Sequence, residues 1–329
     1  MSFSSRRNTL LAIAISALSG VVSAQTSWQA AGWPSKTVRL VVGFPAGSSP
    51  DLTARALAEP LSKALGKPVI VENKVGAGGN IGADHVAKAT DNHTLGLMIN
   101  GNLTTAKLLN PKLPYDPLKD LQPVSLIGVS PLVLMAPKNA PGADAAAFFA
   151  AAKLAGDSWS YGSPGVGTVG HIGMELLNAK TGMKPLHVPY PGYAQVALAM
   201  VGGQLQLSML PPALAMAQVT GDKLRAIGVT SSGRSALAPQ LPSMREAGVA
   251  NFNLEIWNAV AAPKSLPAPI VAELSNLIGA IVRAPEMRQK LFQQGWQVVG
   301  SSPEGLANRI QADTQVFGRV IKSLEISNQ

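Results

Sequence analysis

The residues able to do covalent or metal chemistry are few: the sequence has no cysteine, and its four histidines, His85, His93, His171 and His187, are scattered. Disulfides, cysteine nucleophiles, thiolate zinc sites, iron–sulfur clusters and a lipid-modified N-terminal cysteine are thereby excluded. No G-x-S-x-G elbow, Walker loop or H-E-x-x-H pair is present, so neither a hydrolase nor a metalloprotease site is expected. Gly165-Val166-Gly167-Thr168-Val169-Gly170 matches G-x-G-x-x-G in form. A dinucleotide site also needs an acid closing the next strand, about 20 residues on. The next strand-like run, 186–190, has none, and the first acid after Glu175 is Asp222. No enzymatic activity, cofactor or metal is expected.

What remains is binding chemistry built from backbone. Three turns rich in glycine and serine, at residues 44–51, 76–82 and 161–170, each follow a strand-like run and precede a helix. Such a turn presents unpaired N–H groups at the strand's carboxyl end, where the helix dipole favours an anion. Glycine lets a ligand approach the backbone closely. None of the three turns contains lysine or arginine. The anion should therefore be held by N–H groups, Ser48, Ser163, Thr168 and bridging water instead of an arginine fork. Valine at Gly78 or Gly167 should abolish binding, whereas Lys74→Ala should cost less than about 1 kcal/mol. His171 reads as a histidine satisfied by its surroundings or as a pocket-lining one. Asp51 reads as favouring its helix dipole or as accepting from a ligand amine.

The elements that position these turns alternate. Residues 37–42, 69–72 and 158–161 are strand-like, and helices are expected from Pro50 to Leu65 with Ser49 as N-cap, from about Ile81 to Ala89, and from about His171 to Lys180. This order implies an α/β architecture with mainly parallel sheets. Helical apolar spacing returns at 267–282 and 286–294, and Ser301-Ser302-Pro303-Glu304 starts a last helix toward Lys322.

Charged residues make up 14% of the 329-residue chain and hydrophobic ones 47%, which suits a folded chain large enough for two cores. Arg6 and Arg7, the apolar run 10–22 and Val22-Ser23-Ala24 read as a signal peptide over residues 1–24, cleaved after Ala24. The segment 5–10 partly resembles a twin-arginine signal but lacks its aromatic and lysine, so ordinary export is expected. Removing it lowers the formal charge from +9 to about +7, with the remaining cations spread singly, so no nucleic-acid partner is expected. No later apolar run reaches the ~18 residues of a membrane span.

Several segments together resemble a known family. They are Phe44-Pro45-Ala46-Gly47 leading to Asp51, the run 71–82 (Val-Glu-Asn-Lys-Val-Gly-Ala-Gly-Gly-Asn-Ile-Gly), Leu113-Pro114-Tyr115-Asp116-Pro117, the run 161–168, His187-Val188-Pro189-Tyr190, and the run 224–230. In this order they are similar to the extracytoplasmic solute-binding receptors of tripartite tricarboxylate transporters, the Bug family. The resemblance implies a periplasmic binding protein type II-like α/β fold: two lobes, a ligand cleft between them and two crossover hinges. Lobe 1 would take 33–136 plus 257–329 and lobe 2 would take 137–256. It implies a periplasmic monomer that takes a small organic acid and hands it to an integral membrane permease; an exported domain signalling to a membrane kinase is the alternative. Ligand-facing positions implied are Phe44, Ala46, Ser48, Ser49, Asp51, Gly78, Asn80, Asn102, Ser163, Gly167, Thr168, His171, Tyr190 and Tyr193. The sequence departs from the family at Ser48, where glycine is usual, at Pro191-Gly192-Tyr193, where Lys-Gly is usual, and at 208–212, which lacks an aspartate. Ligand identity therefore does not carry over.

Overall fold

The computed structural model describes residues 32–327; the expected signal peptide and its cleavage site lie outside the described residues. The chain runs β1 (Val38–Val42), α1 (Ser49–Leu65), β2 (Val69–Asn73), α2 (Asn80–Ala87), β3 (Thr94–Ile99), α3 (Asn100–Leu103), α4 (Thr105–Leu109), β4 (Leu121–Pro131) and β5 (Val133–Pro137). It continues through α5 (Ala145–Ala155), β6 (Ser160–Ser163), α6 (Val169–Thr181), β7 (Leu186–Pro189), α7 (Tyr193–Val201), β8 (Leu207–Leu210), α8 (Pro212–Thr220) and β9 (Leu224–Val229). The end is β10 (Glu255–Pro263), α9 (Ala268–Arg283), α10 (Pro285–Gln293), β11 (Gln297–Val298) and α11 (Pro303–Ser323).

Two sheets form, ordered β11-β4-β10-β3-β1-β2 and β7-β6-β8-β5-β9. β1 is buried on both faces: Val38, Leu40 and Val42 pack with Leu57 and Leu61 of α1, while Val41 packs with Val86 and Trp257. Burying a side chain such as Leu57 completely is worth about 2 kcal/mol. α1 ends at Gly66, whose φ of 65° permits the left-handed cap and whose N–H donates to Ser62 O at 3.0 Å. At the other end of the chain Ser302 Oγ accepts from Gly305 N at 3.1 Å and starts α11.

The sheets are mixed, not mainly parallel. β1 pairs parallel with β2 and β3, and β6 with β7 and β8, but β10 runs antiparallel to β3 and β4, and β5 antiparallel to β8 and β9. β10 and β5 are the strands beside the passages between sheets, and each enters its sheet from the opposite end. The chain changes sheet at Leu132, between β4 and β5, and returns between Leu254 and the start of β10. The sequence expectation puts the lobe boundaries at 136/137 and 256/257; near the first, the uninterrupted buried run 132–136 gives no sign of the change of sheet.

Thr230 ties both passages together. Its N–H donates to Leu132 O at 2.8 Å and its carbonyl accepts from Leu254 N at 2.9 Å. Its hydroxyl accepts from Leu132 N at 2.8 Å and donates to Leu254 O at 2.7 Å. A fully buried threonine thus fixes the two passages to one another.

Candidate functional site

The first turn is organised by Asp51. Its Oδ2 accepts from Gly47 N at 2.8 Å and from Arg55 Nε at 2.9 Å. Its Oδ1 accepts from Asn73 Nδ2 at 2.8 Å, an amide that also donates to Phe44 O at 2.9 Å. Burial alone would raise this carboxyl, but the hydrogen bonds from Arg55, Asn73 and Gly47 outweigh it and hold it below the usual range. Asp51 is fully buried, and both its oxygens accept hydrogen bonds from the turn and its neighbours. Asp51→Asn is expected to lower unfolding free energy by about 2 kcal/mol, by pointing an amide at donors that need an acceptor; urea unfolding checks this, and an unchanged midpoint contradicts it.

The helix start differs by one residue from the sequence expectation. Ser48 is the N-cap (φ −69°, ψ 159°), Ser49 opens α1 and Pro50 follows it. Two adjacent serines before a proline offer two possible caps, and the bond from Ser48 N to Pro45 O at 3.1 Å selects the first. Ser48 makes no side-chain capping bond. Ser48 Oγ and Ser49 Oγ are buried without a hydrogen-bond partner.

The second turn packs directly on the first. A Cβ at Gly43 would lie 2.5 Å from Gly79 Cα, and one at Gly79 would lie 2.7 Å from the Phe44 ring. Phe44 is therefore a buried prop for this turn. Asn102 Nδ2 donates to Gly78 O at 3.0 Å and Asn80 Oδ1 at 2.9 Å. Tyr115 Oη lies 2.9 Å from Asn80 Oδ1 and 2.8 Å from Asn102 O. Asn80 and Asn102 thus brace the glycine turn. Tyr115, absent from the expected site, completes the brace; its place in the Leu113–Pro117 motif was the only signal in the sequence.

The third turn sits on a column of rings. Ser163, in β6, has its Oγ 2.7 Å from His187 Nε2, and Gly165 N donates to that Oγ at 3.2 Å. Thr168, the N-cap of α6, donates its hydroxyl to Gly165 O at 2.7 Å. Gly167 N donates to His171 Nδ1 at 3.2 Å. His171 stacks on His187 at 4.3 Å between centroids, and His187 stacks on Tyr161 at 4.8 Å. Tyr161 donates to Glu175. Burial holds His171 down to about 4; burial and the neighbouring His171 hold His187 down to about 3. Both rings are neutral at ordinary pH, as His171 must be to accept from Gly167. His187 was not among the expected site residues, although it lies in a flagged segment.

Tyr190 and Tyr193 are half-buried and pack into the second sheet's core. Tyr193 Oη lies where a Cβ on Gly170 would fall, at 2.6 Å, so this phenol covers the first turn of α6. Ala46 is exposed at the rim.

All three turns converge. A Cβ on Gly165 would lie 2.9 Å from Gly78 Cα, and one on Gly78 would lie 3.1 Å from Val166 O. Thr105 Oγ1 donates to Gly167 O at 2.5 Å. At the rim, a Cβ on Gly192 would be 3.7 Å from the Pro45 ring. Among the described residues no group of three or more histidine or acidic side chains is placed to hold a metal ion. The arrangement can surround a small anion with backbone dipoles and hydroxyls.

The sequence matches the tripartite tricarboxylate transporter family receptor over residues 53–326. It is 31% identical over 312 residues to Protein BugT of Bordetella pertussis, covering 94% of each chain. Among solved structures it is similar to R. palustris Rpa4515 with adipate, at TM-score 0.86 and 29% identity over 90% of this chain and 99% of that one. It is likewise similar to MatC from Rhodopseudomonas palustris with bound malate, at TM-score 0.83 and 32% identity over 88% and 100% of the two chains.

Proposed function

The chain belongs to the tripartite tricarboxylate transporter receptor family, and from that premise we propose that it captures a small organic carboxylate where the three turns converge and delivers it to a tripartite-type membrane permease. The observation that carries this is the meeting of three turns rich in glycine or serine, none with a lysine or arginine, beside two buried serine hydroxyls without partners. First-turn N–H groups of α1 and α6 supply the donors a carboxylate needs. Ser48 and Ser49 add hydroxyls free to turn toward it, while Ser163 and Thr168 shape the opposite wall. The relatives solved with adipate and malate support a carboxylate of similar size.

The receptor works by binding and not by turnover. Family membership implies a periplasmic setting and favours delivery to a permease over signalling to a kinase. In our reading residues 1–24 are removed after Ala24, the protein acts as a monomer, and two lobes, one built on each sheet, close about the passages at Leu132 and Leu254.

A thermal-shift screen of the protein from Gln25 onward over mono-, di- and tricarboxylates, aromatic acids and amino acids tests the reading. One acid present at 100 times its Kd should add about 2.7 kcal/mol to stability. That acid should also reduce the radius of gyration in small-angle scattering, as hinge closure requires. Affinity should vary little with salt, because the donors are buried dipoles. A screen in which no acid raises the melting temperature contradicts it.

A further inference from the structure

One hydroxyl crosses from the first sheet's layer to the second, and it has two acceptors. Thr105 is fully buried at the start of α4. Its Oγ1 lies 2.5 Å from Gly167 O, on the turn that leads into α6, and 3.3 Å from Gly101 O, four residues earlier in its own segment. The short distance marks the cross-cleft contact as the bond made in this arrangement. The long one marks where the hydroxyl turns when Gly167 moves away.

Gly101 makes the approach possible. A Cβ there would lie 3.1 Å from Gly167 O and 3.5 Å from Thr168 Cα. The peptide that carries Gly167 O is held within its own layer at its other end, where Thr168 N donates to Gly165 O at 3.3 Å. The carbonyl offered to Thr105 is therefore fixed in direction, not free to wander with the turn.

We propose that Thr105 is a reversible latch that sets the balance between open and closed clamp without touching ligand. On closure the hydroxyl leaves Gly101 O for Gly167 O. On opening it falls back on Gly101 O while water takes the Gly167 carbonyl, so no buried donor is orphaned in either state. A latch of this kind stabilises the closed form modestly and releases easily, which suits a receptor that must surrender its cargo. The inference rests on the receptor reading only in assuming that the two layers move.

The test reads motion directly. Because the sequence has no cysteine, spin labels at Leu118→Cys and Leu198→Cys, exposed positions beside different sheets, report a single interlayer distance distribution by pulsed electron resonance without any ligand. Thr105→Val keeps the shape and deletes the hydroxyl. It should lower the closed-to-open ratio roughly fivefold, because closure would then leave the buried Gly167 O without its donor while water satisfies it in the open form, and Thr105→Ser should restore the parent distribution. A merely structural threonine would change the melting temperature without moving this distance. Parent-like distances in a folded Thr105→Val overturn the latch. Should Thr105→Val fail to fold, Gly101→Ala decides: a methyl pressed on Gly167 O should open the clamp, and unchanged distances overturn the proposal. Failure to bind any acid would sink the receptor reading and leave this distance result standing.

Discussion

Gly165→Ala is expected to weaken carboxylate binding at least a hundredfold. Gly165 has φ of 125°, a conformation that side chains rarely adopt. Its added methyl would lie 2.9 Å from Gly78 Cα, which is backbone and has no flexible end to withdraw. The local strain, about 1–3 kcal/mol, is present whether the clamp is open or closed. The clash with Gly78 exists only when the turns meet, so it falls on binding. Gly78→Val should follow in severity, since a Cβ there meets Val166 O at 3.1 Å. Gly167→Val should be milder, because its nearest neighbour at 3.0 Å is the movable end of Leu109. Lys74→Ala serves as the reference: Lys74 pairs with Glu72 at 2.7 Å on a part-exposed surface, and losing it should cost less than about 1 kcal/mol. Calorimetry with the acid found by the screen measures all four, and full affinity in Gly165→Ala defeats the idea that close backbone approach closes the site.

The three turns were legible because glycine and serine between β-branched runs and helices have no other economical reading. Their meeting was not, since nothing in the spacing says that Gly78 will face Gly165 from another sheet. Strand direction was hidden for a related reason. β5 and β10 are buried on both sides, and a fully buried strand reads as an apolar run whichever way it points. Side-chain partners were the least legible. Asp51, Asn80, Asn102 and His171 are expected to face a ligand, and the structure adds that their hydrogen bonds hold turns in shape. Polar residues near a backbone-built site are needed first to fix that backbone, and a sequence displays the residue type without its partner. Thr105 carried no motif at all, and only the fold brings its hydroxyl to Gly167.

Stability should fall as pH drops from about 6.5 to 4, because of the stacked histidines. The unfolded chain takes up protons on His171 and His187 near the ordinary value of 6.5, while the folded protein holds them down to about 4 and about 3. Through that window the unfolded state binds more protons than the native one, so the slope of stability against pH is positive. Above pH 7 both states are neutral at these rings and the contribution is flat; below the folded values it levels again. For His171, which is 5% exposed, the gap between 6.5 and about 4 corresponds to roughly 3 kcal/mol. His187, held down to about 3 by burial and the neighbouring His171, contributes in the same direction. Paired carboxylates such as Asp51 are also held low, but their contribution is lost only as pH falls below the usual carboxylate range, beneath most of this window. His171→Gln separates the two: glutamine can accept from Gly167 N–H and does not titrate. Urea unfolding at pH 7.5, 5.5 and 4.5 should show a shallower decline in this variant than in the parent. A parent whose stability is flat over this range, or a variant with the parent's slope, contradicts the account. The same protonation strips Gly167 N–H of its acceptor, so the third turn should loosen as the fold weakens, and carboxylate affinity should decline in the parent at a higher pH than in His171→Gln.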